Sequence, residues 1–326
     1  MTPEAKPAPA IVTLGDLVMD MTSSTPGGLH HATDTLGGIR ANPGGSAANV
    51  AAWAARCGAP VRLVVRVGAD VLGDALLADL RGDGVEVHAA RDPARPTGII
   101  LVLVDESGER SMVVSPGANH SLEAADLPTG LLDGAGLLHL SGYSFFWDAP
   151  RGAARRAKEM ALAAGLWLSI DPNSVALLRH PGPDAFWQEA AGAHILLPNL
   201  DEGRLLAGEE EPEAVLEKLA RRVPLVALKL GGEGVLLAAG ALRLRLPASP
   251  ATAVDTTGAG DAWAAAFLTG LMRRAWQGPG HPPAPTEAQL REAALEANQL
   301  AAWVVGRPGA RPRGGYPAPP ARRSQP

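Results

Sequence analysis

The sequence of 326 residues contains a single cysteine, Cys57. One cysteine cannot form an intrachain disulfide or supply the several thiolates of a structural zinc site, and we expect its thiol to be buried and unreactive. Aromatic residues make up only 4% of the chain, the formal net charge is −5, and no stripe of basic residues with interleaved aromatics is present. We therefore expect no nucleic-acid partner.

Long apolar runs are also missing. No uninterrupted apolar stretch reaches the roughly 18 residues that span a bilayer, and the opening MTPEAKPAPA lacks the basic region and apolar core of a secretory signal. Four histidines, at positions 30, 31, 139 and 194, lack the spacing of metal ligands. We expect a soluble, cytoplasmic protein without a membrane partner.

Short apolar runs alternate with segments of helical period. The runs are IVTLG (11–15), VRLVVRVG (61–68), GLLHLSG (136–142), LWLSIDPN (166–173), HILLPN (194–199) and LVALKLG (225–231). The helical segments are 46–58, 71–84, 149–165 and 212–222. Strands that are apolar on both faces, with helices between them, predict an α/β fold with a parallel sheet covered on both sides.

Two segments break this alternation. Residues 16–43 are polar and glycine-rich, and residues 96–119 read as two strands joined by the turn DESGER. Together they predict a small β-sheet placed as a lid on the main domain. Its exposed edges and its strand IILVLVD, which is too apolar for a one-sided solvated sheet, favour a homodimer through the lids. The Pro/Arg-rich tail, residues 313–326, is expected to be disordered.

The stretch AVDTTGAGDAWAAAF (253–267) combines small residues with an apolar helix. A helix that starts near Gly258 offers free backbone N–H groups and a partial positive charge, and the small residues Ala259 and Gly260 let an anion approach. Thr256 or Thr257 could simply cap the helix. That alternative does not explain the carboxylate of Asp261, which suits a group that takes a proton from an attacking hydroxyl.

DTTGAGD closely resembles the C-terminal signature of the ribokinase (PfkB) family of carbohydrate kinases. Five further elements match the family in order: LGDLVMD (14–20), PGGSAANVA (43–51), PNLDE (198–202), KLGGEG (229–234) and EANQLAAWVVGRPGA (296–310). The resemblance covers residues 10–312. It implies a ribokinase-like three-layer α/β/α domain with a mostly parallel central sheet and a small β-sheet lid formed by about 16–43 and 96–119.

The resemblance also implies roles for individual residues. Asp261 would be the general base, and the backbone of Gly258, Ala259, Gly260 and Asp261 the anion hole. The sugar would be bound by Asp20, Gly44, Gly45 and Asn49. The nucleotide side would comprise Asn199, Lys229, Gly231, Gly232, Gly234 and Asn298. Glu202 would hold Mg²⁺ through water, and the backbone carbonyls of Asp255, Thr257 and the loop 307–310 would hold K⁺.

Simpler interpretations exist for three of these motifs. Asn199 and Glu202 could form a helix cap, Asn49 could bond the backbone from inside a helix, and the glycines of 231–234 could make an ordinary turn between two strands. The chain has no GxxxxGK[ST] and is therefore not a P-loop kinase.

The implied activity is ATP-dependent phosphorylation of a sugar hydroxymethyl group, with Mg²⁺ and with K⁺ as an activator. PGAN (116–119) is similar to the ribokinase branch of the family, but Ser141 stands where that branch has a glutamate. Ser141 is more similar to the fructokinase and ketodeoxygluconate-kinase branches. Those branches often have Asp-x-Asn-x-Arg, and Asp171-Pro172-Asn173-Ser174-Val175 has valine in place of the arginine. An acidic sugar is not expected, because no arginine is evident to meet its carboxylate. A nucleoside kinase and a non-catalytic sugar-binding regulator are the alternatives, and Asp261 argues against the regulator.

Overall fold

The computed structural model describes residues 8–25, 28–105, 110–180 and 182–313. Apart from residue 313, the tail predicted to be disordered lies outside the described residues. The strands are β1 Ala10–Leu14, β2 Val18–Ser24, β3 Gly38–Gly44, β4 Val61–Gly68, β5 Glu86–Asp92, β6 Gly98–Val104, β7 Arg110–Ser115, β8 Ala135–Ser141, β9 Trp167–Asp171, β10 Ile195–Leu196, β11 Leu225–Lys229, β12 Val235–Ala239 and β13 Leu242–Leu246. The α-helices are α1 Ser46–Arg56, α2 Val71–Gly82, α3 Asp148–Ala163, α4 Val175–Arg179, α5 Pro183–Glu189, α6 Leu200–Ala207, α7 Pro212–Ala220, α8 Ala259–Ala275 and α9 Glu287–Val305.

The large sheet has nine strands in the order β13-β12-β11-β10-β9-β8-β1-β4-β5. The strands from β11 to β5 run parallel, while β12 and β13 form an antiparallel edge. All six strands predicted from apolar runs are present. The strands β5, β12 and β13 were not predicted; β5 and β13 are edge strands with exposed positions, and their sequences are therefore not continuous apolar runs.

Alternate residues of each central strand enter two separate cores. Ile11 and Leu137 join the cluster that contains α1, α8 and α9, whereas Val12 and Leu138 join the cluster that contains α3 and α7. Because both faces of the sheet are covered in this way, the predicted three-layer α/β/α fold is confirmed. Cys57 lies in the first cluster, where burial raises the pKa of its thiol to about 12.

The small sheet has four strands in the order β3-β2-β6-β7. Strands β6 and β7 pair antiparallel as predicted, while residues 106–109 of the predicted turn DESGER lie outside the described residues. Strands β2 and β3 come from the predicted polar segment. Its register aligns Asn42, Asp20, Ile100 and Val114 in one row across the four strands. Side chains in such a row share one face of the sheet, and all four line the same cavity.

The fold brings the ends of its parallel strands together at one place. The chain moves from β1 to β4 and β5 on one side, and returns later to β8 on the other side of β1. Ligands of open α/β sheets bind at such a switch point, beyond the carboxyl ends of the strands. The residues at or just after those ends include Asp16, Ser141, Asp171 and Lys229.

Membrane-spanning helices and metal-binding clusters were sought among the described residues. Within the described ranges, no helix is both long and apolar enough to cross a membrane. In the same part of the chain, no group of three or more His, Cys, Asp or Glu side chains is placed to hold a metal ion directly.

Candidate active site

Two cavities meet beside the first turn of α8. The larger one, about 680 Å³, extends from this turn towards α9 and the turn after β11. The smaller one, about 360 Å³, lies between this turn and the small sheet. Asn173, Gly258 and Asp261 line both cavities. We call the larger space the nucleotide-side cavity and the smaller one the acceptor cavity.

Asp261 is held at this junction by helix α1. Its Oδ1 atom accepts a hydrogen bond from Ser46 Oγ, and its Oδ2 atom accepts one from Asn49 Nδ2, both at 2.8 Å. Burial raises the pKa of the carboxyl to about 7, although the two donors counteract it; the charges of Asp171 and Asp16 add to the rise. A carboxyl with a pKa near neutrality is well suited to proton transfer.

The predicted anion hole is the start of α8. Gly258 is the N-cap residue with φ 73°, in the left-handed region, and a Cβ at this position would lie 2.5 Å from the Cβ of Ala310. Ala259 and Gly260 follow as the first residues of the helix and line the nucleotide-side cavity. The Ala259 N–H donates to the carbonyl oxygen of Thr256 at 3.3 Å. The other N–H groups of this first helical turn, together with the helix dipole, favour an anion here.

A buried ion pair lies next to this helix start. Lys229 Nζ donates to Asp171 Oδ2 at 2.5 Å, and the two side chains are 14% and 3% exposed. Burial works against the charge of Lys229, but the carboxylates of Asp171 and Glu202 outweigh it and raise the pKa of the ammonium group. A Cβ placed on Gly260 would be 3.6 Å from Lys229 Nζ. The lysine therefore brings a positive charge to the place where the helix N-terminus is open.

Asn199 and Glu202 form a capping box at the start of α6. Asn199 Oδ1 accepts from Glu202 N, while the Glu202 carboxylate accepts from both nitrogens of Asn199 at 2.8 and 2.9 Å. The two residues therefore form the helix cap that was given as the simpler interpretation of this motif. Both residues also line the nucleotide-side cavity, and burial, followed by the charge of Asp171, raises the pKa of Glu202 to about 7.

This excess of carboxylates fits a divalent cation. Asp171, Glu202 and Asp261 line the nucleotide-side cavity with one lysine, Lys229, to balance them. Mg²⁺ prefers oxygen ligands, keeps several waters, and is commonly bound by one or two carboxylates together with substrate phosphates. Glu202 acting through water is compatible with this chemistry.

The remaining nucleotide-side residues form the walls of the larger cavity. Gly231, Gly232 and Gly234 make the turn between β11 and β12 and line the cavity. A Cβ on Gly234 would lie 2.0 Å from the carbonyl oxygen of Leu246, so the turn also needs this glycine for packing. Asn298 accepts from Trp263 Nε1 at 2.8 Å and donates to the carbonyl of Pro247 at 2.7 Å. Its amide group is thus engaged within the protein.

On the acceptor side, two buried oxygens lack partners. Within the part of the chain that the structure describes, Asp20 Oδ1 and Asn49 Oδ1 have no hydrogen-bond donor, and both residues line the acceptor cavity. Burial and the neighbouring charge of Asp16 raise the pKa of Asp20 to about 6. Asn49 bonds Asp261 and not the backbone, so the alternative given for it is wrong. Buried acceptors without donors are expected where a ligand supplies hydroxyl groups.

The two glycines of the GG pair act on different neighbours. A Cβ on Gly44 would lie 2.2 Å from Asp20 Oδ2, so Gly44 leaves room for this carboxylate. Gly45 lines the acceptor cavity with φ 98°, and a Cβ there would lie 2.5 Å from the carbonyl oxygen of Asp16. Both positions therefore require glycine for the local geometry of the site.

Asp255 links the two segments proposed to bind K⁺. Its carboxylate accepts hydrogen bonds from Thr257 N at 3.0 Å and from Gly309 N at 2.9 Å. Asp255, Thr257, Gly309 and Ala310 all line the acceptor cavity next to Gly258. The two predicted segments are therefore adjacent in the structure. The binding of K⁺ between them is a proposal.

Several site residues were missed by the sequence analysis. Asp16, which accepts from the N–H groups of Ser46 and Ala47, and the aromatic residues Tyr143 and Trp147 line the acceptor cavity. Arg311 directly follows Ala310, another residue of the cavity wall, and its side chain is only 1% exposed, with burial lowering its pKa to about 10. Its guanidinium is 3.5 Å from Asp79. Asp16 belongs to the quoted element LGDLVMD, in which only Asp20 was given a role, whereas Tyr143, Trp147 and Arg311 belong to none of the quoted motifs.

Comparison with known proteins agrees with this geometry. The family model for "pfkB family carbohydrate kinase" matches residues 8–314. Fructokinase-1 of Oryza sativa subsp. japonica is 30% identical over 313 residues, which cover 93% of each chain. Adenosine kinase from Sinorhizobium meliloti has a TM-score of 0.81 at 27% identity, over 94% of this chain and 96% of that one.

A third relative is a putative ribokinase II from E. coli, solved in complex with ATP and Mg²⁺. It has a TM-score of 0.80 at 25% identity, over 93% of this chain and 94% of that one. The family match spans nearly the whole described chain, and it includes all the residues that line the two cavities. This chain belongs to the pfkB family of carbohydrate kinases and is an ATP-dependent sugar kinase.

Proposed function

We propose that the enzyme transfers the γ-phosphoryl group of ATP to the hydroxymethyl group of a small, uncharged sugar, with Asp261 as general base. The observation that carries the proposal is the shared wall: Asp261 and Gly258 line both cavities, so a group held in one faces a group held in the other. Phosphoryl transfer needs this positioning together with stabilisation of charge.

The nucleotide is assigned to the larger cavity. Ala301, Ala302 and Val305 of α9 supply an apolar wall for a base, and Lys229 and the first turn of α8 supply positive charge for phosphates at the other end. Glu202, with Asp171 nearby, would hold Mg²⁺, which would supply positive charge against the phosphates.

The sugar is assigned to the smaller cavity. Hydroxyl groups of the sugar donate to Asp20 Oδ1 and Asn49 Oδ1, the two buried oxygens without partners. The hydroxymethyl oxygen then points to Asp261, which takes its proton as the new O–P bond forms. The bond from the γ-phosphorus to the bridging oxygen breaks, ADP leaves, and the N–H groups at residues 258–261 stabilise the charge on the transferred group.

The charge of the cavity selects uncharged acceptors. Four carboxylates line it, those of Asp16, Asp20, Asp255 and Asp261, and the described lining residues include no lysine or arginine. A sugar acid or a sugar phosphate would place its negative charge against them without a basic partner. Ribose-like and ketohexose-like sugars meet this requirement, in keeping with the fructokinase relative.

A nucleoside is the second candidate acceptor. The acceptor cavity is also lined by Ile100, Val102, Tyr143 and Trp147, side chains that suit an aromatic base better than sugar hydroxyls. The adenosine kinase neighbour favours the same candidate. A regulator without catalysis remains disfavoured, because a carboxyl with its pKa near neutrality at the junction serves proton transfer.

The small sheet is proposed to close over the bound acceptor. Met112 and Val114 line the acceptor cavity and yet are 59% and 56% exposed. Closure would bury them against the substrate and exclude water, which competes as phosphoryl acceptor. The opposite face of the sheet carries Leu101 and Val113, also exposed, and is proposed as a homodimer interface.

One assay tests the proposal. ADP release is measured with fructose, ribose, adenosine, a sugar acid and a sugar 6-phosphate at equal concentration. We expect turnover with an uncharged acceptor and at least 10-fold lower kcat/KM with either anionic one. A preference for adenosine over both free sugars would favour the nucleoside candidate. A preference for an anionic acceptor would contradict the charge argument.

A further inference from the structure

A chain of hydrogen bonds leads to the catalytic carboxylate through Asn173. Its Oδ1 atom accepts from Gly142 N and from Ser141 Oγ, both at 2.9 Å. Its Nδ2 atom lies 2.9 Å from Ser46 Oγ, which in turn lies 2.8 Å from Asp261 Oδ1. The three side chains thus connect the ends of β8 and β9 with the first turns of α1 and α8.

The direction of each hydrogen bond in this chain is determined. A backbone N–H can only donate, so the bond from Gly142 requires that the carbonyl oxygen of Asn173 faces it. The NH₂ group of Asn173 therefore faces Ser46, and because NH₂ only donates, the Ser46 hydroxyl accepts there. The single proton of that hydroxyl is left for Asp261.

The backbone of Asn173 is also specialised. Its φ is 65°, and among the described residues only it and Ala32 adopt positive φ without being glycine. Asparagine tolerates this left-handed conformation better than most residues, but it still carries a cost, and such positions concentrate at functional sites. Asn173 N donates to Asp171 Oδ1 at 3.3 Å, and the other oxygen of Asp171 accepts from Lys229.

We propose that Asn173 is a positioning residue for the phosphoryl transfer: it fixes the Ser46 hydroxyl as a donor to Asp261 and so orients the general base. Asn173 also connects the base to the Asp171–Lys229 pair on the nucleotide side. The proposal rests on the proposed function, since it assumes that Asp261 accepts the proton of the acceptor hydroxyl.

The orientation has a consequence for the pH dependence. The Ser46 hydroxyl stabilises the charged form of Asp261, and its loss leaves burial less opposed, so the pKa of Asp261 rises. The other charged and titratable groups that face Asp261 are Asp16 after β1, Tyr143 after β8, Asp171 in β9, Lys229 in β11 and Arg311 after α9. None of them changes in the variants below.

Two substitutions at Asn173 separate orientation from packing. Asn173→Gly keeps the left-handed backbone and removes the amide. Asn173→Asp keeps the shape but replaces the donor by an acceptor, which draws the Ser46 proton away from Asp261. Ser46→Ala removes the relay and keeps the position small, should the Asn173 variants fold poorly. Ser169→Ala is the matched control. It also deletes a buried hydroxyl of β9, but this hydroxyl contacts His139 and takes no part in the hydrogen bonds that lead from Asn173 to Asp261.

The measurements are kcat, KM for the acceptor, the acid limb of the kcat–pH profile, and melting temperature. We expect kcat to fall by roughly 10- to 100-fold in Asn173→Gly, Asn173→Asp and Ser46→Ala, with KM changed by less than about 3-fold and the acid limb moved to higher pH. Ser169→Ala should keep the wild-type profile. Folded Asn173→Asp and Ser46→Ala proteins with wild-type kcat and an unmoved acid limb would overturn the positioning role. Failure of the proposed function is distinguishable, since the wild-type protein would then phosphorylate no acceptor or would prefer an anionic one.

Discussion

Lys229 Nζ lies 2.5 Å from Asp171 Oδ2, and this ion pair is buried between the sheet and the start of α8. Both residues line the nucleotide-side cavity, at the end proposed above for the phosphates. Lys229 pairs with Asp171 in the structure, and under the proposed function it also offers its charge to the nucleotide.

Comparing Lys229→Met with a double variant that also carries Asp171→Asn separates the pairing with Asp171 from nucleotide binding. Removing one partner of a buried pair typically costs about 3–5 kcal/mol of stability, and we also expect KM for ATP to rise by at least 10-fold. The double variant Lys229→Met with Asp171→Asn should regain most of the lost stability without regaining ATP affinity. Thermal unfolding and ATP titration check both effects. A double variant with wild-type KM for ATP would remove the lysine from nucleotide binding.

Two glycines of the α8 turn offer a matched comparison. Gly260→Ala adds a methyl at ordinary contact distance from Lys229, in a helix that favours alanine, so stability should be kept or rise by up to about 1 kcal/mol. The methyl stands where phosphate must approach, and we expect KM for ATP to rise by at least 10-fold. Gly258→Ala should instead destabilise the protein, because φ is 73° and the methyl meets Ala310. Unchanged ATP binding in Gly260→Ala would contradict the anion hole.

Activation by K⁺ is expected through the segments that Asp255 joins. Replacing K⁺ by tetramethylammonium at constant ionic strength should lower kcat severalfold. Asp255→Asn keeps one acceptor oxygen for two N–H donors, those of Thr257 and Gly309, and should raise the K⁺ concentration for half-maximal activity. The account of this site fails if activity is the same in both salts.

The small sheet is expected to pair with a second copy. Ile39, Leu101 and Val113 lie on its face away from the acceptor cavity and are 71%, 36% and 60% exposed. Light scattering at micromolar concentration should give twice the chain mass of 33.5 kDa. Val113→Lys should shift the mass towards one chain, whereas Val71→Lys, an exposed valine at the start of α2, should not. A monomeric wild-type protein would refute the interface.

The fold could be predicted from the sequence because its central strands are buried on both faces. Such strands are continuous apolar runs, and the helices between them imply that they run parallel. Strand β5 has the mixed sequence EVHAARD, with exposed and partly exposed positions, and such a segment is hard to distinguish from a loop. The antiparallel edge of β12 and β13 depends on how the chain turns back after Gly234, which the apolar pattern does not determine.

The candidate site was predictable where chemistry is concentrated in one motif, as around Asp261. It was not predictable where residues far apart in the chain meet. Asn173 and Ser46 are 127 positions apart, and Asp16 lies 30 positions from the helix start that it binds. The motif of Asn199 and Glu202 allowed both a cap and a ligand role, and only the three-dimensional arrangement showed that the capping box is formed.

The central claim, that Asp261 is the general base, is tested most directly by Asp261→Asn. Kinetic constants and melting temperature are measured on the same preparation. The neutral amide removes the cost of burying a charge, but its single oxygen can accept only one of the two hydrogen bonds that Ser46 and Asn49 donate, so we expect a folded protein with a modestly lower melting temperature. We expect kcat to fall by roughly 10²–10⁴-fold, with little change in KM for the acceptor. A stable variant with near-wild-type kcat would contradict the account.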